Sequence, residues 1–226
     1  MYKNKLAIIG GSGLYDIDGL SKTDSLKIQT PWGAPSDEIV KATFQSKEVL
    51  FLPRHGKGHF ISPSKINFRA NIDALKQLGV TDIVSISAVG SLKEDLKPGM
   101  FVIVDQFIDR TFARNKTFFD EDIVAHVSMA KPTSIGLMNA CEEAITTEEI
   151  LYKRDGTYLV MEGPQFSTLA ESELYRSWGA DVIAADGMFS NTKSFFSWFI
   201  LKFSACRSLK ALDSSFTIAL GVMLLS

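Results

Sequence analysis

Leu6-Ala-Ile-Ile-Gly-Gly-Ser-Gly13 is a short apolar run that halts on three glycines and a serine. Four apolar residues, two of them β-branched, bounded by glycine, fit a strand buried on both faces better than a helix. The glycines then make a tight turn at its end. The same layout recurs down the chain. Strand-like runs at 48–52, 81–88, 100–104 and 157–161 each lead into a turn rich in Gly, Pro or polar residues, and another begins at 180–183. Residues 38–44 and 48–52 form a hairpin about Gln45-Ser-Lys47. Between the strands, 63–78, 132–145 and 168–178 have helical spacing, with Pro63 suited to a first turn and Gly79 to a stop. Strands alternating with helices, with no linker or repeat, predict one α/β domain.

Composition narrows the function. The chain has 226 residues, 46% hydrophobic and 22% charged, enough for a core without disulfides. Its 24 basic and 26 acidic residues nearly cancel, which excludes the basic excess that nucleic-acid binding requires. Two distant cysteines, Cys141 and Cys206, make neither a disulfide framework nor a four-ligand zinc site, and fit a reducing cytoplasm. The apolar run after Lys5 is too short for a signal-peptide core, and no segment reaches membrane-spanning length.

Each strand-end turn offers chemistry. Gly10-Gly-Ser-Gly13 can bring backbone N–H groups and the Ser12 hydroxyl to an anion, although a plain tight turn would read the same way. A dinucleotide fingerprint started at Gly11 would need a glycine where Asp16 stands. Pro53-Arg-His-Gly-Lys-Gly-His59 supplies the planar fork of Arg54, suited to phosphate oxygens, and the donor ring of His55. His55 and His59 as zinc ligands lack further partners, and an exposed basic loop is the remaining alternative. Ser87-Ala-Val-Gly-Ser91 leaves room at a third strand end. The three together predict a phosphate site built without a P-loop. In Glu162-Gly-Pro-Gln-Phe-Ser167, Phe166 either stacks on a flat base or packs in the core. Asp109 and Arg110 either touch ligand or form an ion pair, and the charged stretch 142–154 reads as a solvated face.

Taken in order, Ile9-Gly-Gly-Ser-Gly-Leu14, Thr30-Pro-Trp-Gly-Ala-Pro-Ser36, Arg54-His-Gly56, the run 63–75, Ala88-Val-Gly-Ser-Leu92, Asp105-Gln-Phe-Ile-Asp-Arg-Thr111 and Glu162-Gly-Pro-Gln-Phe-Ser167 resemble the methylthioadenosine phosphorylases of the trimeric purine nucleoside phosphorylase group. The resemblance spans residues 5–183. It implies a single α/β domain with a mixed central β-sheet flanked by helices, a homotrimer, a cytoplasmic location and no cofactor, inorganic phosphate being a co-substrate. The implied reaction is phosphorolysis of S-methyl-5′-thioadenosine to adenine and 5-methylthioribose 1-phosphate; inosine or methylthioinosine phosphorolysis is the alternative within the group. Carried over by motif, Ser12, Arg54, His55, Ser87 and the Ala88 backbone cradle phosphate. Phe166 and Ser167 meet base and ribose, and His126 enters a neighbouring subunit's 5′-substituent pocket.

The match stops near Ile183. Residues 184–226 hold eight serines, six phenylalanines, no proline and two acids, whereas the preceding 183 residues hold the other 24 acids. The family's Met-Thr pair falls on Ala185 and Asp186, and no Asp-x-Asp follows to read the purine. Asp186 would put a carboxylate beside phosphate, where like charges ~4 Å apart repel by about 4 kcal/mol. The chain thus divides into an incomplete phosphorylase domain, 1–183, and an atypical tail, 184–226. Within the tail, 191–203 and 216–225 read as a buried helix pair, unable to complete the family's sheet in register. A relic that binds phosphate or nucleoside without turnover, or an interaction module using the apolar tail, are the readings outside catalysis. A frameshifted or mispredicted C-terminus from Ala184 is the reading of this break. The nucleotide sequence downstream of Ile183 is therefore expected to encode Met-Thr and Asp-x-Asp in another frame, and an intact frame that expresses this tail would refute it.

Overall fold

The computed structural model describes residues 5–11, 21–44, 46–119, 123–185 and 217–224. Nine strands and three α-helices appear among them: β1 Leu6–Gly10, β2 Ser21–Leu26, β3 Ile39–Phe44, β4 Lys47–Pro53, α1 Phe68–Gln77, β5 Asp82–Ser91, β6 Phe101–Asp109, α2 Ile135–Thr147, β7 Tyr152–Val160, α3 Leu169–Ser177, β8 Val182–Ala184 and β9 Thr217–Leu224. They form one mixed sheet in the order β2-β3-β4-β1-β5-β8-β7-β6-β9, and β9 also pairs with β5. The far end of the sheet therefore curls into a ring of β5, β8, β7, β6 and β9. No described helix is long and apolar enough to cross a membrane.

β1 lies between β4 and β5, parallel to both. A strand covered on both faces must be apolar on both, and Ala7, Ile8 and Ile9 are all buried. Their alternation sorts the core. Ile8 faces one way with Phe51, Val84 and the α2 residues Leu137, Met138 and Ile145. Ala7 and Ile9 face the other, with Leu50, Leu52 and the α1 residues Phe68, Ile72 and Leu75. β6 alternates in the same way: Phe101 and Ile103 join the α2 side, while Val102 and Val104 fill the ring with Val89, Tyr158, Val160 and Val182. Burial of this kind stabilises by roughly 25 cal/mol per Å² of apolar surface.

Local chemistry sets the helix bounds. The expected helix from Pro63 divides into a 3-10 turn, Pro63–Lys65, and α1, whose N-cap is Asn67. The Asn67 side chain accepts from the Ala70 amide at 3.1 Å, a cap that Pro63 cannot supply. α1 ends where Gly79 takes φ 76°, with no neighbour within 4 Å of a built Cβ, so only the backbone conformation asks for glycine there. α2 starts at Ser134 and α3 at Thr168, whose side chain forms a capping box with Glu171. β2 was not foreseen: Ser21-Lys-Thr-Asp-Ser-Leu26 is polar, and pairing with β3 at the sheet edge overrides its weak strand preference.

Residues 217–224 correct the tail reading. They are a strand, not a helix, paired antiparallel with β5 over eight positions from Asp82↔Leu224 to Val89↔Thr217, and parallel with β6 from Phe101↔Ile218 to Val104↔Gly221. The tail thus supplies a sheet strand in register. The reason is tertiary: β5 and β6 offer facing rows of backbone donors and acceptors, and an apolar eight-residue run satisfies both. Residues 191–203 and Cys206 lie outside the described residues. A proline at Leu220, opposite Ile86 and Ile103, would remove one ladder bond in the middle of this slot. Leu220→Pro is expected to lower stability by about 2 kcal/mol or more in urea unfolding; an unchanged midpoint would show that β9 is not seated there.

Candidate functional site

Register places the candidate phosphate residues. Gly10, the last residue of β1, stands level with Pro53 of β4 and Ile86 of β5. Gly11 and Arg54, the first residues past β1 and β4, therefore stand side by side with Ser87 of β5, which runs on beyond them. The Arg54 amide donates to the Gly10 carbonyl at 3.2 Å. The Arg54 side chain is 3% exposed, and its Nη1 donates to the Ile86 carbonyl at 2.7 Å. A Cβ built on Gly11 would lie 3.8 Å from Arg54 Nη2, so the guanidinium lies against Gly11. Ser87 is buried and Ala88 exposed, opposite Ala219 and Ile218 of β9. Ser12 and Asp186 lie outside the described residues.

His55 is buried beside Arg54. Its Nδ1 lies 2.7 Å from the Ile61 carbonyl, which can only accept, so Nδ1 carries the proton and any contact with a ligand falls to Nε2. The His59 ring stacks on it with centroids 4.2 Å apart, so the two rings pack face to face. Among the described residues no group of three His, Cys, Asp or Glu could hold a metal ion. The turn is braced from below. Asp37 accepts from the Lys57 amide at 2.5 Å, and a Cβ on Gly56 would come within 3.2 Å of the Ser36 carbonyl. Ser36 is held in turn by the fully buried Asn71, which accepts from its amide at 2.7 Å and donates to its hydroxyl at 2.9 Å. Sequence reasoning missed these braces, because their partners lie far apart in the chain.

The other strand ends carry the remaining candidates. Phe166 is 83% exposed on the loop after β7, which removes the core-packing alternative. The Ser167 hydroxyl is 2.8 Å from that of Ser172. His126 is exposed in a stretch without helix or strand. Asp109 pairs with Lys116 at 2.8 Å and accepts from Thr111, while Arg110 lies over the Trp178 ring. These contacts are the ion-pair alternative, with Lys116 as the unforeseen partner. The charged stretch 142–154 includes the end of α2 and the start of β7, tied by Arg154 to Glu142. Ala185 is partly buried at the end of β8.

Glu162, one residue before that loop's turn, is a functional candidate that the sequence reading did not single out. Burial pushes its carboxyl upward, but the Ser64 hydroxyl, the Phe112 and Ala113 amides and Arg114 outweigh this and hold it at about 2. A carboxyl depressed below its ordinary 4.5 stabilises the fold above that pH, and the contribution is lost as pH falls toward 2. Acid unfolding is therefore expected to cost on the order of 2–3 kcal/mol between pH 4.5 and 2. In Glu162→Gln that part of the pH dependence should vanish; an identical acid titration would refute the assignment.

Comparison with known proteins gives this geometry its lineage. Residues 5–188 match the family model described as the phosphorylase superfamily. The S-methyl-5′-thioadenosine phosphorylase of Rhodospirillum rubrum is 59% identical over 183 residues, covering 81% of this chain and 62% of that protein. The one from Cereibacter sphaeroides is 56% identical over 186 residues, covering 82% and 64%. The chain thus spans less than two thirds of the length of these relatives. Among solved structures, a methylthioadenosine phosphorylase from an Antarctic soil metagenomic library superposes with TM-score 0.78 at 43% identity, over 97% of this chain and 73% of that one. The Schistosoma mansoni methylthioadenosine phosphorylase in complex with adenine gives 0.76 at 30% identity, over 99% and 82%. On the family match, the ordered strand-end motifs and the shared fold, this chain belongs to the phosphorylase superfamily.

Proposed function

We propose that the chain is a pentosyltransferase that cleaves S-methyl-5′-thioadenosine with inorganic phosphate. The observation that carries this reading is the register that sets Gly11, Arg54 and Ser87 side by side. Relatives of that name at 52–59% identity support it. In the reaction a phosphate oxygen bonds to C1′ of the ribose as the C1′–N9 bond breaks. The bonding pair leaves with adenine, which takes up a proton. Phosphate is itself the nucleophile, so the protein needs no activated serine or cysteine; its work is to hold the anion beneath a sugar gaining positive charge.

In this reading Ser12, Arg54, His55, Ser87 and the Ala88 amide hold phosphate. A guanidinium buried among strand ends binds an anion more strongly than one in water, because the local dielectric is low. Phe166, already exposed on its loop, stacks on the purine, and Ser167 meets the ribose. His126, exposed in a stretch without helix or strand, reaches a neighbour's 5′-substituent pocket within a homotrimer. The enzyme acts in the cytoplasm without a cofactor, residues 1–183 forming the phosphorylase domain and 184–226 an atypical tail. Residues 184–226 hold no Asp-x-Asp; a pair that protonates or holds the departing purine contributes about a hundredfold or more in rate.

Two measurements test this. Adenine release from methylthioadenosine is expected only when phosphate is present, at about one hundredth or less of the rate of a relative that has the Asp-x-Asp. Binding without turnover would favour the relic, and neither would exclude both. Arg54→Ala should raise the KM for phosphate by about tenfold to a hundredfold, the equivalent of a lost charge-assisted contact. An unchanged KM would remove Arg54 from the site.

A further inference from the structure

The cluster around Glu162 and Arg114 is independent of the residues assigned above. Both side chains are buried, 9% and 5% exposed, with Nε and Oε1 3.4 Å apart. The Glu162 carboxylate accepts from the Ser64 hydroxyl, the Phe112 amide at 2.7 Å and the Ala113 amide at 3.1 Å. Arg114 Nη2 donates to three carbonyls: Met161 at 3.1 Å, Glu162 at 2.8 Å and Ala185 at 2.5 Å. One ion pair therefore fastens the 3-10 turn, the loop after β6 and the residues just past β7 and β8. None of these bonds reaches the turn 53–61 or β5.

What leaves from that junction is specific. The loop 163–167 departs from β7, and the chain after Ala184 departs from β8. Gly163 has φ 70°, and a Cβ built on it would lie 2.6 Å from the Ala185 Cβ, so the loop already presses on the end of β8. A buried ion pair is a poor stabiliser, and apolar packing of equal volume often does as well. Its advantage is directional. A guanidinium fork fixes several carbonyls at set angles, which apolar side chains cannot.

We propose that Glu162 and Arg114 are positioning residues that set the nucleoside side of the site, holding the loop 163–167 against the ends of β7 and β8, while the phosphate side is held separately. The kinetic part of this proposal rests on the nucleoside phosphorylase reading; the mechanical part does not.

The test uses the whole chain and its Glu162→Gln, Arg114→Lys and Ser64→Ala variants, with amide hydrogen exchange read in three segments. Exchange in 110–115 and 161–168 is expected to quicken by about tenfold or more, the factor for losing one hydrogen bond to a charged group. Exchange in 53–61 should stay as in the parent. The KM for methylthioadenosine should rise about tenfold while that for phosphate stays within about twofold. Equal quickening in all three segments would reduce the pair to general support of the fold, and no quickening would remove it altogether; either overturns the proposal. If Glu162→Gln does not fold, Ser64→Ala, which removes one bond, carries the same readout. If the parent chain neither binds nor cleaves methylthioadenosine, the substrate reading fails, and the exchange pattern still decides the clamp.

Discussion

Three parallel strands in one register, β1 and β4 ending level while β5 runs on past them, are the constraint from which the rest follows. β1 hydrogen-bonds to β4 on one side and β5 on the other, and Gly10, Pro53 and Ile86 share a row. Parallel strands deliver their carboxyl ends together, so whatever follows them in sequence is assembled without further folding information. The helices α1 and α2 cover the two faces, and the side-chain alternation of Ala7, Ile8 and Ile9 is what keeps that register from slipping. A shift by one residue would turn every apolar group to the wrong layer and carry Gly11 away from Arg54.

Polar groups near these ends have a common logic. Asn71 ties the loop 30–37 to α1, Asp37 ties that loop to the turn at Lys57, and Glu162 with Arg114 ties the ends of β7 and β8. Each satisfies backbone groups of segments that have left the sheet ladder. Loops that carry chemistry are thereby held by a few directional bonds rather than by the bulk of the core.

Much of this was legible in the sequence, and the gaps have causes. β1, β4 and β5 announce themselves as apolar runs ending on glycine, proline or serine, and the Gly11–Arg54–Ser87 edge follows from reading them as parallel. Phe166 could be assigned to either side of the surface from sequence, and only its exposure decides. β2 escaped because an edge strand with a polar sequence has no apolar signature. The braces at Asp37 and Glu162 escaped because a carboxylate looks the same whether it meets water or distant amides. The run 217–224 misled most: apolar residues without a clear period suit helix or strand alike, and only the slot between β5 and β6 selects the strand.

That slot bears on how the molecule comes into being. Ile86 and Leu220 sit opposite each other although 134 positions separate them in the chain. During translation the edges of β5 and β6 are made long before the strand that will bridge them, and open edges of this kind recruit foreign strands. Closing so long a loop is also slow. The nascent polypeptide is thus a natural client for chaperones until residues 217–224 have cleared the ribosome's exit tunnel.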